Sequence, residues 1–235
     1  MKLINPFKDL NKFELGLWLF SIITISVLFL IEPQKDYLTL VASLLGVTSL
    51  IFISKGHFFG QILAAAFAIF YGIISYYFGY YGEMIMYFGM SLPIAVMTAI
   101  EWFKNPYKES SEVAVNAMTA KDITIMLILT ASVTAVFYFV LKALKTSNLI
   151  ASVVSIATNF SAAYLMLKRS SFYAIGYAIN DIVLIVLWVL AAVQNISYLP
   201  MIACFVIFLI NDIYGFYNWR RMKKRQAMDS KNSVR

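Results

Sequence analysis

The chain has 235 residues, 61% of them hydrophobic and only 13% charged, with a formal net charge of +7. A soluble domain carries about 25% charged residues, so this composition, with a mean hydropathy of +0.77, excludes a water-soluble globule and places most of the chain in lipid. One cysteine, Cys204, and one histidine, His57, far apart in sequence, supply no intrachain disulfide, no Cys/His metal site and no Cys–His nucleophile.

In lipid every backbone N–H and C=O must be paired within a helix or a closed barrel. The apolar runs are long and do not alternate, so the fold class is an all-α integral membrane protein. A bilayer core about 30 Å thick takes about 20 apolar residues per helix. Eight runs meet that length: residues 14–31, 37–53, 58–78, 82–103, 123–141, 148–167, 172–193 and 197–219. The first reads as a retained helix, because no A-x-A-like cleavage site follows it. The connections are short and carry signals such as Ser54-Lys55-Gly56 and Lys168-Arg169-Ser170. The longest, between Lys104 and Asp122, contains Asn105-Pro106, a helix stop.

Charge gives the direction. With eight spans, 16 of the 19 Lys and Arg residues fall on the side of the two termini, and only Lys35, Lys142 and Lys145 fall on the other. Lys and Arg stay in the cytoplasm, so both termini are expected on the cytoplasmic side of the membrane. The cluster Arg220, Arg221, Lys223, Lys224 and Arg225 directly follows an apolar helix. It reads as a stop signal facing anionic lipid rather than as a nucleic-acid surface.

The layout repeats. Residues 37–104 and 147–220 each hold three spans, with a basic turn (Lys55; Lys168-Arg169) before the second. Each second span opens on an aromatic pair, Phe58-Phe59 or Phe172-Tyr173. Each third ends in Trp and a base, Trp102-Phe103-Lys104 or Trp219-Arg220. The linker span, within 122–145, makes the two units parallel about an axis along the membrane normal. Residues 1–31 form an extra helix outside the repeat, and 221–235 a basic tail. Two like bundles leave a cleft between them, the geometry of a transporter that works by alternating access.

Polar residues at membrane depth are functional candidates by default. The clearest are Asn180-Asp181 and Asn211-Asp212. Each lies about 12 Å from the terminal-side end of its span at 1.5 Å per residue, so both share one layer. Asp181 and Trp188 are seven apart and lie nearly on one stripe, as do Asp212 and Trp219. Asn211 and Asn218 form a second stripe, with Tyr214 beside it. Two readings fit the Asn-Asp pairs: they line a polar cavity, or they are hydrogen-bonding glue between helices. Gln61 faces the cleft from the first unit, and Tyr71 and Tyr87 serve either as stacking platforms or as part of an interfacial aromatic belt.

These residues carry a resemblance. Gly60-Gln61, Tyr71-Gly72, Gly79-Tyr80-Tyr81-Gly82-Glu83-Met84, Trp102, Asn180-Asp181 with Trp188, and Asn211-Asp212-Ile213-Tyr214-Gly215-Phe216 with Trp219 are similar to the PnuC family of vitamin B3 (nicotinamide riboside) transporters, nearly end to end. The resemblance implies a fold related to the SWEET sugar transporters, uptake of nicotinamide riboside by facilitated diffusion, trapping by a cytoplasmic kinase, and a homotrimer. The implied substrate site is Asn180, Asn211, Gln61, Asp181 and Asp212 for the polar groups, with Trp188, Tyr214, Tyr71 and Tyr87 for the ring. Transporters of thiamine or riboflavin share the type. No Walker motif occurs, so neither ATP hydrolysis nor any cofactor is expected. The reading from another class is an intramembrane enzyme built on an Asp181–Asp212 dyad.

Overall fold

The computed structural model describes residues 6–31, 37–77, 81–146, 148–194 and 199–232. The Gly79-Tyr80 part of one motif lies outside the described residues. Among the described residues eight helices are long and apolar enough to cross a membrane: Lys12–Ile31, Tyr37–Ser54, Phe58–Tyr77, Tyr81–Lys104, Ala120–Ala143, Leu149–Leu167, Tyr173–Gln194 and Leu199–Asn232. They are numbered first to eighth below. The fourth contains a π-helical turn, Tyr87–Ser91, before it resumes at Leu92 with Pro93 in its opening turn; such a turn is often found at functional sites. The eighth does not stop where its apolar run ends at Trp219. The basic residues expected as a tail continue the helix to Asn232.

Helix starts follow from local chemistry. Asn11 and Glu14 cap the first helix reciprocally: Asn11 Oδ1 accepts from the Glu14 N–H at 2.9 Å, and Glu14 Oε2 accepts from the Asn11 N–H at 2.7 Å. Thr119 and Asp122 repeat the device on the fifth helix. Lys168 then pairs with Asp122 at 3.0 Å, tying the fifth helix to the turn before the seventh.

The second, third and fourth helices pack in sequence, as do the sixth, seventh and eighth. Two contacts join these groups: the second helix packs on the eighth, and the fourth on the sixth. The first helix lies against the second and eighth, with Ile25, Val47 and Ile207 as their shared apolar contact. The fifth packs on the sixth.

The two basic turns have one geometry. Gly56 and Arg169 take φ of 68° and 57°, and each N–H reaches back to Ile53 or Met166 O, at 2.9 and 3.0 Å. The next residues, His57 and Ser170, donate to Phe52 and Leu165 O, both at 2.9 Å. Just beyond each turn a glycine lets helices touch. A Cβ on Gly60 would lie 2.6 Å from Ile53 N, and one on Gly176 would lie 2.9 Å from Ala162 Cα.

Candidate functional site

The seventh and eighth helices carry the two Asn-Asp pairs, and all four side chains are buried. The Asp181 and Asp212 carboxyls lie near enough to interact electrostatically. Tyr177 lies beside both carboxyls, and Cys204 lies near Asp181. Each asparagine also bonds a neighbouring helix. Asn180 Oδ1 accepts from Thr158 Oγ1 at 2.8 Å and from Ser155 Oγ at 3.3 Å, both on the sixth helix. Asn211 Nδ2 donates to Ser21 Oγ on the first helix at 3.1 Å, and to Ile207 O at 2.9 Å.

Those bonds leave a remainder. Asn211 Oδ1 and Asp181 Oδ2 are buried with no hydrogen-bond partner. The same holds for Gln61 Oε1 on the third helix, whose Nε2 rests against Met166 Sδ at 3.0 Å. Such an orphaned group costs about 1–3 kcal/mol, and a ligand that donates hydrogen bonds would recover it.

The other predicted residues make contacts of their own. The Tyr71 and Tyr87 rings lie 4.6 Å apart and both contact Phe67, an aromatic group on the third and fourth helices at the π-helical turn. Trp188 is half-buried. The Tyr214 hydroxyl donates to Glu14 Oε1 at 2.7 Å, so it faces the first helix and the basic end. Asn218 Nδ2 donates to Ser54 O at 2.9 Å.

An apolar barrier separates this layer from the basic end. Trp102, Trp219, Tyr173 and Val113 are at most 1% exposed and form one cluster with Ile53 and Met222. Trp102 Nε1 donates to Met166 O on the sixth helix at 3.1 Å, and Trp219 Nε1 donates to Ile53 O on the second at 2.9 Å. Beyond the barrier is a polar cavity of about 270 Å³, lined by Glu14, Lys55, Asn218 and Arg221 among others.

Sequence reasoning missed Glu14. Its carboxylate is 1% exposed, pairs with Lys55 at 2.9 Å and accepts from Tyr214. The signal available was a carboxylate just inside an apolar run. It also missed Ser21, Ser155 and Thr158, hydroxyls that hold the asparagines.

Comparison with known proteins agrees with this architecture. Residues 36–221 match the family described as nicotinamide mononucleotide transporter. A nicotinamide riboside transporter PnuC of Neisseria mucosa is 26% identical over 219 residues, covering 90% of this chain and 82% of the relative. The PnuC of Haemophilus influenzae is 23% identical over 210 residues, covering 88% and 90%. The crystal structure of a vitamin B3 transporter PnuC superposes with a TM-score of 0.78 at 25% identity, covering 93% of this chain and 94% of that one.

Proposed function

The chain belongs to the nicotinamide mononucleotide transporter family, a transporter and not an enzyme, and from that premise we propose that it carries nicotinamide riboside across the membrane by facilitated diffusion. The observation that carries the choice of substrate is the character of the orphaned groups. Gln61 Oε1, Asp181 Oδ2 and Asn211 Oδ1 are all acceptors, and a second carboxyl, Asp212, lies near Asp181. No Lys or Arg lies in the interior of a span. A site of acceptors fits a cationic ring bearing a carboxamide and ribose hydroxyls. It disfavours a phosphate, which would meet two carboxyls and no counter-charge. The riboside therefore fits better than the mononucleotide.

In this reading Asn180 and Asn211 orient the ligand, Gln61 meets it from the opposite side, and Trp188 offers a ring face. Tyr71 and Tyr87 close the far side of the layer, and Tyr214 acts through Glu14. The two three-helix units, residues 37–104 and 147–220, rock about a parallel repeat axis to give alternating access. The reciprocal contacts of Trp102 and Trp219 support that symmetry. The excess of Lys and Arg on one side supports cytoplasmic termini in a bacterial inner membrane. The family resemblance supports a homotrimer.

The test is a binding panel on the purified full chain: nicotinamide riboside, nicotinamide mononucleotide, thiamine and riboflavin. The riboside is expected to bind at least tenfold tighter than the others. Preference for the mononucleotide or for riboflavin would overturn the assignment.

A further inference from the structure

The connection between the fourth and fifth helices is held as a strap across the basic end. Val113 has no exposed surface and packs with Trp102, Trp219 and Met222. Its N–H donates to Gly56 O at 3.0 Å, and the Asn116 N–H donates to Arg169 O at 2.9 Å. The strap therefore bonds to both basic turns at once. One side chain serves the next polar groups of the strap. Gln226 Oε1 accepts from the Val115 N–H at 2.8 Å, while Nε2 donates to Val113 O at 3.1 Å and to the Glu112 carboxylate at 2.9 Å. The carboxamide thus presents the donor and acceptor pair that an adjacent β-strand would present. Gln226 is itself buried. It lies seven residues past Trp219, two turns along the same face of the eighth helix, and Arg225 beside it pairs with Glu112.

We propose that Gln226 is a positioning residue for transport: it latches Val113 into the barrier between the polar layer and the basic end, and the barrier opens when that latch is released. The proposal rests on the transport reading. A strap bonded only to itself would merely cover the end of the bundle. This one is bonded to a helix that carries Asn211, Asp212 and Trp219, so motion of that helix and release of Val113 are mechanically one event. Val113 is the buried barrier member that no transmembrane helix supplies, and the strap holds it against the cluster of the two tryptophans.

The experiment uses the full chain in proteoliposomes, with Cys204→Ser as background and a single reporter, Val113→Cys or Ala174→Cys. Ala174 is fully buried in the same barrier but lies on the seventh helix. A membrane-impermeant maleimide is added to each face in turn, with Gln226 intact, with Gln226→Leu and with Gln226→Glu. The Glu variant keeps the acceptor for Val115 and loses both Nε2 donations. Size-exclusion profiles confirm that each variant is folded. Labelling from the basic face is expected to rise at least tenfold at both reporters in both variants, with no rise from the other face. A rise at Val113→Cys alone, or no rise in a folded variant, would overturn the proposal. The labelling needs no substrate, so its outcome is separate from whether the riboside binds.

Discussion

Trp102 and Trp219 face each other across the molecule with ring centroids 5.3 Å apart, and each indole N–H bonds a carbonyl on the first helix of the opposite three-helix group: Met166 O for Trp102, Ile53 O for Trp219. The two hydrogen bonds run reciprocally between the two groups. Both side chains are completely buried, so neither carbonyl has water as an alternative.

Equivalence makes a symmetric prediction. Trp102→Phe and Trp219→Phe each remove one of the two donors on a buried carbonyl, which keeps the N–H of Arg169 or of Gly56, at a cost of about 0.5–1.5 kcal/mol. The two losses should be equal within about 0.5 kcal/mol, and the double variant should deviate from their sum because the rings touch. Thermal unfolding in detergent measures all three. A loss confined to one tryptophan would contradict the equivalence.

The asparagines should affect binding more than folding. Asn211→Ala removes the orphaned Oδ1 and the bond to Ser21. Asn180→Ala removes the acceptor of Thr158 and Ser155. Each is expected to weaken riboside binding by about 1–3 kcal/mol, as read by calorimetry on the purified variant. Unchanged affinity with lowered stability in both would leave them as inter-helix glue.

The carboxyl pair gives a graded prediction. Asp181→Asn and Asp212→Asn keep the shape of the layer, and each removes a carboxyl from the pair that shares one negative charge toward a cationic ring. Each should lower riboside affinity by about 1.5–3 kcal/mol, the range for a hydrogen bond to a charged group. An acid–base dyad would instead fail completely on either change.

Much of the fold was legible in the sequence, for one physical reason. Lipid forces each span into a helix of fixed length, so apolar runs report spans directly, and all eight were found. The Asn-Asp layer was legible because polar groups at depth are rare and helical rise gives their height. What escaped was contact between distant segments. Glu14 and Tyr214 are separated by 200 positions, and Val115 and Gln226 by 111; no periodicity carries such pairings. The segment from Asn105 to Thr119 read as a plain connection because its order comes from the eighth helix. That helix was ended at Trp219, where the apolar run stops, although the basic residues after it have good helix propensity.

Glu14 should be a stability residue. It is buried against Lys55 and bonded by Tyr214, so Glu14→Ala leaves the Lys55 ammonium with only the Asp9 carbonyl and the Tyr214 phenol without its acceptor. The expected loss is about 3 kcal/mol, the lower end for breaking a buried pair, because Lys55 retains 23% side-chain exposure. Glu14→Gln keeps an acceptor for Tyr214 and should cost less. The midpoint of thermal unfolding distinguishes the two.

His57, in the turn between the second and third helices, supplies a pH signature. Burial holds its pKa below the ordinary 6.5; Lys55 adds to this, and Asp9 opposes it. Its Nδ1 accepts from the Phe59 N–H at 3.1 Å, a bond that needs the ring nitrogen unprotonated. The unfolded chain therefore takes up a proton first as pH falls. Stability should be flat above pH 6.5 and decline below it, and His57→Gln should flatten that decline in a melting series from pH 8 to pH 5.

The central claim is passive carriage of nicotinamide riboside through the layer formed by Asn180, Asp181, Asn211 and Asp212. Its most direct measurement is uptake of labelled riboside into proteoliposomes holding the purified chain, with no ion gradient and no ATP. The account predicts that label equilibrates to equal concentration inside and out, and that Asn211→Ala slows it. Failure to equilibrate, or accumulation only with a proton or sodium gradient, would contradict it.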